Sequence, residues 1–176
     1  MKLIYLAHTR PDIVYTVSVV SQVMKNLREI HLQAVNGVLH YLKGNLGTGI
    51  LFRRNGGLAL EVYTDADYAS SPINKSSTSS YCTFLGGNLM TWRSKKQNVV
   101  ARSSAEVEFR AMALGIRELL WIKLILEDLK IKWERPMRLL CDNKSTINIA
   151  HNPVQHDRTK HIQVDRHFIR KSWIVD

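Results

Sequence analysis

The spacing of apolar residues changes from helical to alternating and back again along this chain. Ile13, Val17, Val20 and Met24 recur at helical intervals behind Thr9-Arg10-Pro11-Asp12, which has the spacing of a capping box; together they predict a helix over residues 11–25. The many β-branched residues weaken that helix. Val35, Val38, Leu39 and Leu42 form a clearer stripe that stops at Lys43-Gly44. These two helices make a small unit of their own. From Gly49 the period becomes two. Gly49 to Arg53 leads to a turn at Asn55-Gly56-Gly57, after which Leu58, Leu60 and Val62 alternate with Ala59, Glu61 and Tyr63. Ser80 to Leu85 repeats the alternation, turns at Gly86-Gly87-Asn88 and returns as Leu89 to Arg93.

The strongest amphipathic run follows. Ser103-Ser104-Ala105-Glu106 has capping-box spacing, and Phe109, Met112, Ile116, Leu119 and Leu126 belong to one long apolar face that must pack on the sheet. Met137 to Cys141 is a short apolar strand ending in Asp142-Asn143. Ser145 to Ala150 is a short helix stopped by Asn152-Pro153, and His161 to Trp173 is a candidate last helix. Strand, strand, strand, helix, strand, helix describes a mixed α/β sheet with a right-handed crossover. The expected division is a helical segment over 1–56 and one mixed-sheet domain over 57–176, with no internal repeat or low-complexity tract.

Composition adds a partner class. A net charge of +10 on 176 residues attracts phosphate, which makes nucleic acid the leading partner; a basic surface without a duty, or one that touches anionic membrane, is the alternative. Cys82 and Cys141 lie far apart in apolar runs and read as buried free thiols in a reducing compartment. The start has one positive charge and too short an apolar stretch for a signal peptide, and no run approaches membrane-spanning length. The expectation is a soluble, intracellular, non-secreted protein.

Three acids stand where a sheet presents chemistry. Asp65 follows the Leu58 to Thr64 run, Glu108 lies in the first turns of the long helix, and Asp142 ends the Met137 to Cys141 strand. Carboxylates converging there suit Mg²⁺, whose hard character favours oxygen ligands. Each acid also has a structural use: Asp142 as the cap of the next helix, Asp65 and Asp67 as turn residues, and Glu106 in the capping box, which leaves Glu108 as the functional candidate. Arg93, Lys95 and Lys96 beside Trp92 form a candidate phosphate-binding patch with an aromatic platform, or a solvated hairpin end. Arg158 and Lys160 are further candidates for binding backbone phosphates. His151, His156, His161 and His167 invite a zinc reading, against which stands the lack of a Cys pair or finger spacing.

Eight ordered motifs closely resemble the reverse transcriptase and ribonuclease H region of copia-type retrotransposon polyproteins. They are Thr9-Arg10-Pro11-Asp12-Ile13, Tyr41-Leu42-Lys43-Gly44, Tyr63-Thr64-Asp65-Ala66-Asp67-Tyr68-Ala69, Lys75-Ser76-Ser77-Thr78-Ser79, Trp92-Arg93-Ser94-Lys95-Lys96-Gln97, Ser103-Ser104-Ala105-Glu106, Cys141-Asp142-Asn143 and Arg158-Thr159-Lys160-His161-Ile162. The resemblance implies a ribonuclease H fold and Mg²⁺-dependent hydrolysis of the RNA in an RNA-DNA hybrid. By motif, the metal-binding and catalytic carboxylates fall on Asp65, Glu108 and Asp142, with two Mg²⁺ in the intact family. The partners implied are the hybrid and the remainder of the Pol polyprotein, in cytoplasm or a virus-like particle.

The departures from the family shape the expectation. Nothing before Asp65 resembles the polymerase's paired aspartates, so residues 1–56 look like the trailing part of a polymerase and should not polymerise DNA. The family continues into a last strand and a helix with a fourth acid. An ending before both implies an incomplete fold, an unpaired sheet edge, and marginal stability or self-association. Gln163, Ser80 and Asn74 also differ from the residues usual in relatives. The alternative function is a catalytically inactive, nucleic-acid-binding fragment of a decayed element.

Overall fold

The computed structural model describes residues 2–24, 26, 28–54, 57–70, 75–98, 100–131, 137–151 and 174–175, with 149–151 and 174–175 as backbone alone. The chain divides into two compact units, Met1–Phe52 and Arg53–Asp176.

The first unit contains α1 (Lys2–Leu6), α2 (Val14–Gln22) and α3 (Glu29–Gly44), with a 3₁₀ turn at Pro11–Ile13 leading into α2. Ile13, Val17 and Val38 form its small core, with Leu3, Ala7 and Leu42 packed around them. The capping box expected at Thr9 does not form. Thr9 Oγ1 donates back to the Leu6 carbonyl, while Asp12 accepts from Arg10 at 3.0 and 2.7 Å and from the Tyr41 hydroxyl at 2.9 Å. Asp12 therefore clips the turn to α3, and the Arg10 guanidinium holds its carboxyl down at about 2. The α-helix starts only at Val14, because the residues before it are committed to this clip. A core this small leaves an apolar cleft of about 440 Å³ bordered by Leu3, Val17, Val20 and Val35.

The second unit is a five-stranded sheet in the order β3-β2-β1-β4-β5. β1 (Leu60–Asp67) pairs antiparallel with β2 (Thr78–Leu85), which pairs antiparallel with β3 (Asn88–Lys96). The hairpin turn is Gly86-Gly87 with φ of 57° and 76°, the left-handed pair that a two-residue turn requires. Met90 is the extra residue of a bulge, since Thr83 faces Thr91 and Phe84 faces Leu89. Gly49 to Arg53, readable from sequence as the arm of a hairpin or as a linker into the sheet, forms no strand and is the linker. Arg53 instead exchanges two hydrogen bonds with the Asn88 side chain, at 2.7 and 2.9 Å, which anchors the entry to the sheet without a ladder.

From β3 the chain crosses through α4 (Ser104–Asp128) to β4 (Arg138–Cys141), which lies parallel beside β1. α5 (Lys144–His151) follows. β5 (Ile174–Val175) pairs parallel with Arg138 and Leu139, so two residues of strand lie against that edge of β4. The helix expected over His161 to Trp173 lies outside the described residues. Three strands running antiparallel, then a helical crossover to a strand parallel with the first, is the ribonuclease H-like arrangement that the resemblance implied.

α4 holds the sheet together. Phe109, Met112, Ile116 and Leu119 are fully buried against Leu60, Val62 and Leu139, each contributing about 1.5–3 kcal/mol of apolar burial. Its start is capped by Ser103 Oγ, which accepts the Glu106 N–H, while Glu106 returns a bond to the Arg102 N–H and pairs with Arg110. Glu106 thus serves structure, as its spacing suggested. Its end is a Schellman motif. Lys130 takes φ 56°, its N–H reaches the Glu127 carbonyl, and the Ile131 N–H reaches Leu126.

Gly115 sets how closely α4 approaches β1. A methyl group there would lie 2.7 Å from Thr64 Cγ2 and 3.0 Å from Val62 Cγ2. Gly115→Ala is therefore expected to destabilise the second unit by about 1–3 kcal/mol through overpacking. Gly37→Ala, where the methyl meets nothing within 4 Å on α3, should stabilise its own unit by roughly 0.5–1 kcal/mol. Denaturant unfolding of the two variants gives opposite signs if close approach is what Gly115 supplies.

Candidate metal centre

Glu108 is the centre of the site, and core packing aims it. Phe109, its neighbour in α4, is fully buried, which fixes the rotation of the helix. Glu108 is itself only 6% exposed. Its Oε1 accepts the Ala66 N–H of β1 at 3.3 Å, and its Oε2 is buried with no hydrogen-bond partner among the described residues. Burial, and then the charge of Asp65, push the carboxyl up to about 7; the Ala66 N–H opposes this and Asp142 adds to it.

β4 delivers the second acid. Because Thr64 of β1 lies opposite Cys141 of the parallel β4, Asp142 emerges one residue beyond, at the end of the sheet where Glu108 is tied. A carboxylate oxygen of Glu108, one of Asp142, and Cys141 Sγ all lie within 4.8 Å of one another. Asp142 is not the cap of α5. Asn143 is, its Oδ1 accepting the Thr146 N–H at 3.0 Å and its carbonyl the Ile147 N–H at 3.0 Å.

Asp65 is placed differently. It faces Ser80 within the β1–β2 ladder and Asp67 faces Thr78, so neither is a turn residue. Alternation along β1 packs Val62 and Thr64 beneath Gly115 of α4 and leaves Tyr63 and Asp65 exposed on the other side. Asp65 stands outside the 4.8 Å group, yet its charge is the second-largest influence on Glu108. Glu108 and Asp142 are brought together, with Asp65 within electrostatic reach.

Cys141 belongs to this cluster and was read from sequence only as a buried thiol. The available signal was its position: it closes β4, on the same side as the fully buried Leu139, directly before Asp142. It is half-buried and free of any disulfide.

The expected basic patch is split by the strand. Arg93 and Lys95 lie opposite Tyr81 and Ser79 on the side that α4 covers, where the Tyr81 hydroxyl donates to Glu118 at 2.9 Å. Trp92 and Lys96 lie opposite Cys82 and Thr78, on the other side. Lys95, Gln97, Arg110 and Arg117 line a cleft of about 240 Å³ between the end of β3 and the flank of α4. Gln97 is fixed there by donating to Ser79 Oγ at 2.7 Å and to the Val107 carbonyl at 3.2 Å. Arg110 and Arg117 were missed because an arginine on a helix reads as solvation; their seven-residue spacing places them on one face. Arg158, Lys160 and the histidines 156, 161 and 167 lie outside the described residues.

No protein-family model matches the chain. It is 44% identical over 166 residues to the retrovirus-related Pol polyprotein from transposon RE1 of Arabidopsis thaliana, covering 94% of this chain and 11% of that one. It is 37% identical over 163 residues to the corresponding polyprotein of transposon TNT 1-94 of Nicotiana tabacum, covering 93% and 12%. The chain belongs to the Pol polyproteins of copia-like retrotransposons. It spans about a tenth of the length of these curated relatives. A shorter relative, secreted RxLR effector protein 161 of Plasmopara viticola, is 40% identical over 114 residues, which is 65% of this chain and 80% of that protein. Among solved structures, a ribonuclease H1 from Halobacterium salinarum superposes with a TM-score of 0.46 at 10% identity, over 67% of this chain and 83% of that one. LC11-RNase H1 in complex with an RNA/DNA hybrid gives 0.48 at 10%, over 66% and 83%. The fold of this copia-like Pol segment rests on its own strand order, independently of those superpositions.

The raised Glu108 carboxyl sets a pH dependence for this copia-like segment. With its pKa moved from 4.5 to about 7, the folded protein holds the proton more tightly than the unfolded chain. The contribution of Glu108 to stability is therefore greatest below pH 4.5 and falls as pH rises toward 7. Glu108→Gln removes that dependence, so the melting temperature of the variant minus that of the wild type is expected to climb across this interval and then level. A flat difference would show that Glu108 ionises as an ordinary surface acid.

Proposed function

We propose that the second unit is a ribonuclease H that hydrolyses the RNA strand of an RNA-DNA hybrid, with Asp65, Glu108 and Asp142 as its Mg²⁺-binding and catalytic carboxylates. The observation that carries this reading is the Glu108 carboxylate, buried beside Asp142 and within reach of the Asp65 charge, with one oxygen that has no hydrogen-bond partner among the described residues. Such an arrangement is costly for the apo protein and fits a divalent cation, since hard carboxylate oxygens are what Mg²⁺ takes. When bound, Mg²⁺ supplies neutralisation of the phosphate and activation of water.

The chain's own residues do the rest. The Ala66 N–H orients Glu108, the Asn143 cap frees Asp142 from structural duty, and the β1–β4 register sets both acids at one end of the sheet. Lys95 and Arg117 of the β3–α4 cleft would attract the phosphodiester backbone, and Trp92, Arg93 and Lys96 would contribute from their own faces of β3. In this reading the first unit is the trailing part of a reverse transcriptase, and the intact partner set is the hybrid and the remaining Pol polyprotein.

A second reading draws on one observation. Asp65 is exposed and outside the close cluster, which favours a site that binds nucleic acid without turning it over. Cleavage of a labelled hybrid separates the two. The nuclease reading expects Mg²⁺-dependent cutting that Asp65→Asn, Glu108→Gln and Asp142→Asn each abolish while hybrid binding survives. Lys95→Glu and Arg117→Glu should instead weaken binding across sequences and lower the slope of log affinity against log salt by about 1 for each phosphate no longer neutralised. Hybrid binding with no cutting above background would establish the second reading.

A further inference from the structure

We propose that Cys141 makes this acidic site a binding site for a thiophilic divalent cation, Zn²⁺ or Cd²⁺, held by Cys141 Sγ together with the Glu108 and Asp142 carboxylates. The proposal rests on the metal reading of those two acids and adds a ligand of a different chemical class. Mg²⁺ does not use thiols, whereas borderline and soft cations prefer a thiolate to a carboxylate. The three donor atoms already lie within 4.8 Å of one another. A four-coordinate zinc bound at about 2.0–2.3 Å separates its donors by roughly 3.3–3.8 Å, so about an ångström of side-chain adjustment closes the group.

A second observation points to a cation. Glu108 is 94% buried by its 6% exposure, and its Oε2 has no hydrogen-bond partner among the described residues. A thiol and an acid side by side on a surface are common and mean little; here Asp142 is exposed, but Glu108 is buried with an oxygen unsatisfied among the described residues, and strand register places the thiol beside both. Cys141 lies opposite Thr64 in the β1–β4 pair, and no disulfide occupies it. On binding, the thiol proton leaves to solvent and the sulfur becomes a thiolate ligand. Because the cation would use the same Glu108 and Asp142 oxygens, Zn²⁺ and Mg²⁺ exclude each other.

The chain has two cysteines, so Cys82→Ser leaves Cys141 as the only thiol and needs no change at the site itself. Zn²⁺ or Cd²⁺ is expected to slow alkylation of that thiol by about tenfold or more, because coordination withdraws the thiolate from reaction, while Mg²⁺ leaves the rate unchanged. Cd²⁺ should produce a thiolate-to-metal ultraviolet absorption in Cys82→Ser that is lost in the double variant with Cys141→Ser. No cadmium–thiolate absorption in folded Cys82→Ser overturns the proposal. So does Zn²⁺ that binds without protecting the thiol, which would place the ion on other residues such as the histidines. The parent reading is measured apart from this, as a rise in melting temperature with Mg²⁺ that Glu108→Gln and Asp142→Asn remove. A cadmium–thiolate signal without that rise would sink the Mg²⁺ reading and leave the Cys141 site standing.

Discussion

A carboxylate buried among like charges is the interaction on which the second unit turns. Glu108 sits in the protein interior with Asp65 and Asp142 nearby, and among the described residues only the Ala66 N–H compensates it. An isolated acid of this kind would swing toward solvent or protonate. It stays because α4 cannot rotate: Phe109, Met112, Ile116 and Leu119 are buried without remainder in the same core, and Gly115 presses the helix against Val62 and Thr64. The apolar face of the helix therefore stabilises an electrostatically unfavourable arrangement.

Topology supplies the rest of the convergence. Asp65 and Asp142 are far apart in sequence, and only the crossover through α4 lays β4 parallel beside β1 with Cys141 opposite Thr64. The loop after β4 then divides its labour between adjacent residues. Asn143 satisfies the start of α5, and Asp142, relieved of capping, remains at the cluster. Had the two residues exchanged roles, a neutral amide would face Glu108 and the negative charge would complement the helix start instead.

The strands from β1 to β3, α4 with its Ser103 cap, β4 and α5 were all legible, because alternation and a long amphipathic stripe are local signals and here tertiary packing reinforces them. The two-residue turn was legible for the same reason: Gly86-Gly87 admits positive φ at both positions. Failures arose where a partner distant in sequence overrode a local pattern. Asp12 has capping-box spacing from Thr9, but Arg10 and Tyr41 claim it. Gly49 to Arg53 was readable as the arm of a hairpin or as a linker, and the Asn88 side chain, by taking the backbone groups of Arg53, decides for the linker. The two-residue β5 is too short to signal in sequence, and its pairing depends on β4 being in place. For the site, the three acids were identified by motif, and spacing alone left each with a structural use. Their separation into a close pair with Asp65 outside it, and the entry of Cys141, depend on which side of a strand each residue faces near its end, where alternation meets the twist of the sheet.

The positive surface and the negative centre make one requirement rather than two. The chain carries +10 overall, with Lys95 of β3 and Arg117 of α4 lining one cleft, and in the proposed reading this charge draws in a polyanion from a distance, where only net charge is felt. Close to the end of β1 the sign reverses, and a phosphate approaching Glu108, Asp65 and Asp142 meets three acids. In the proposed reading, a cation placed between phosphate and carboxylates reconciles the long-range attraction with the short-range repulsion. Burial first, and then the charge of Asp65, raise the Glu108 carboxyl to about 7, and protonation relieves both costs.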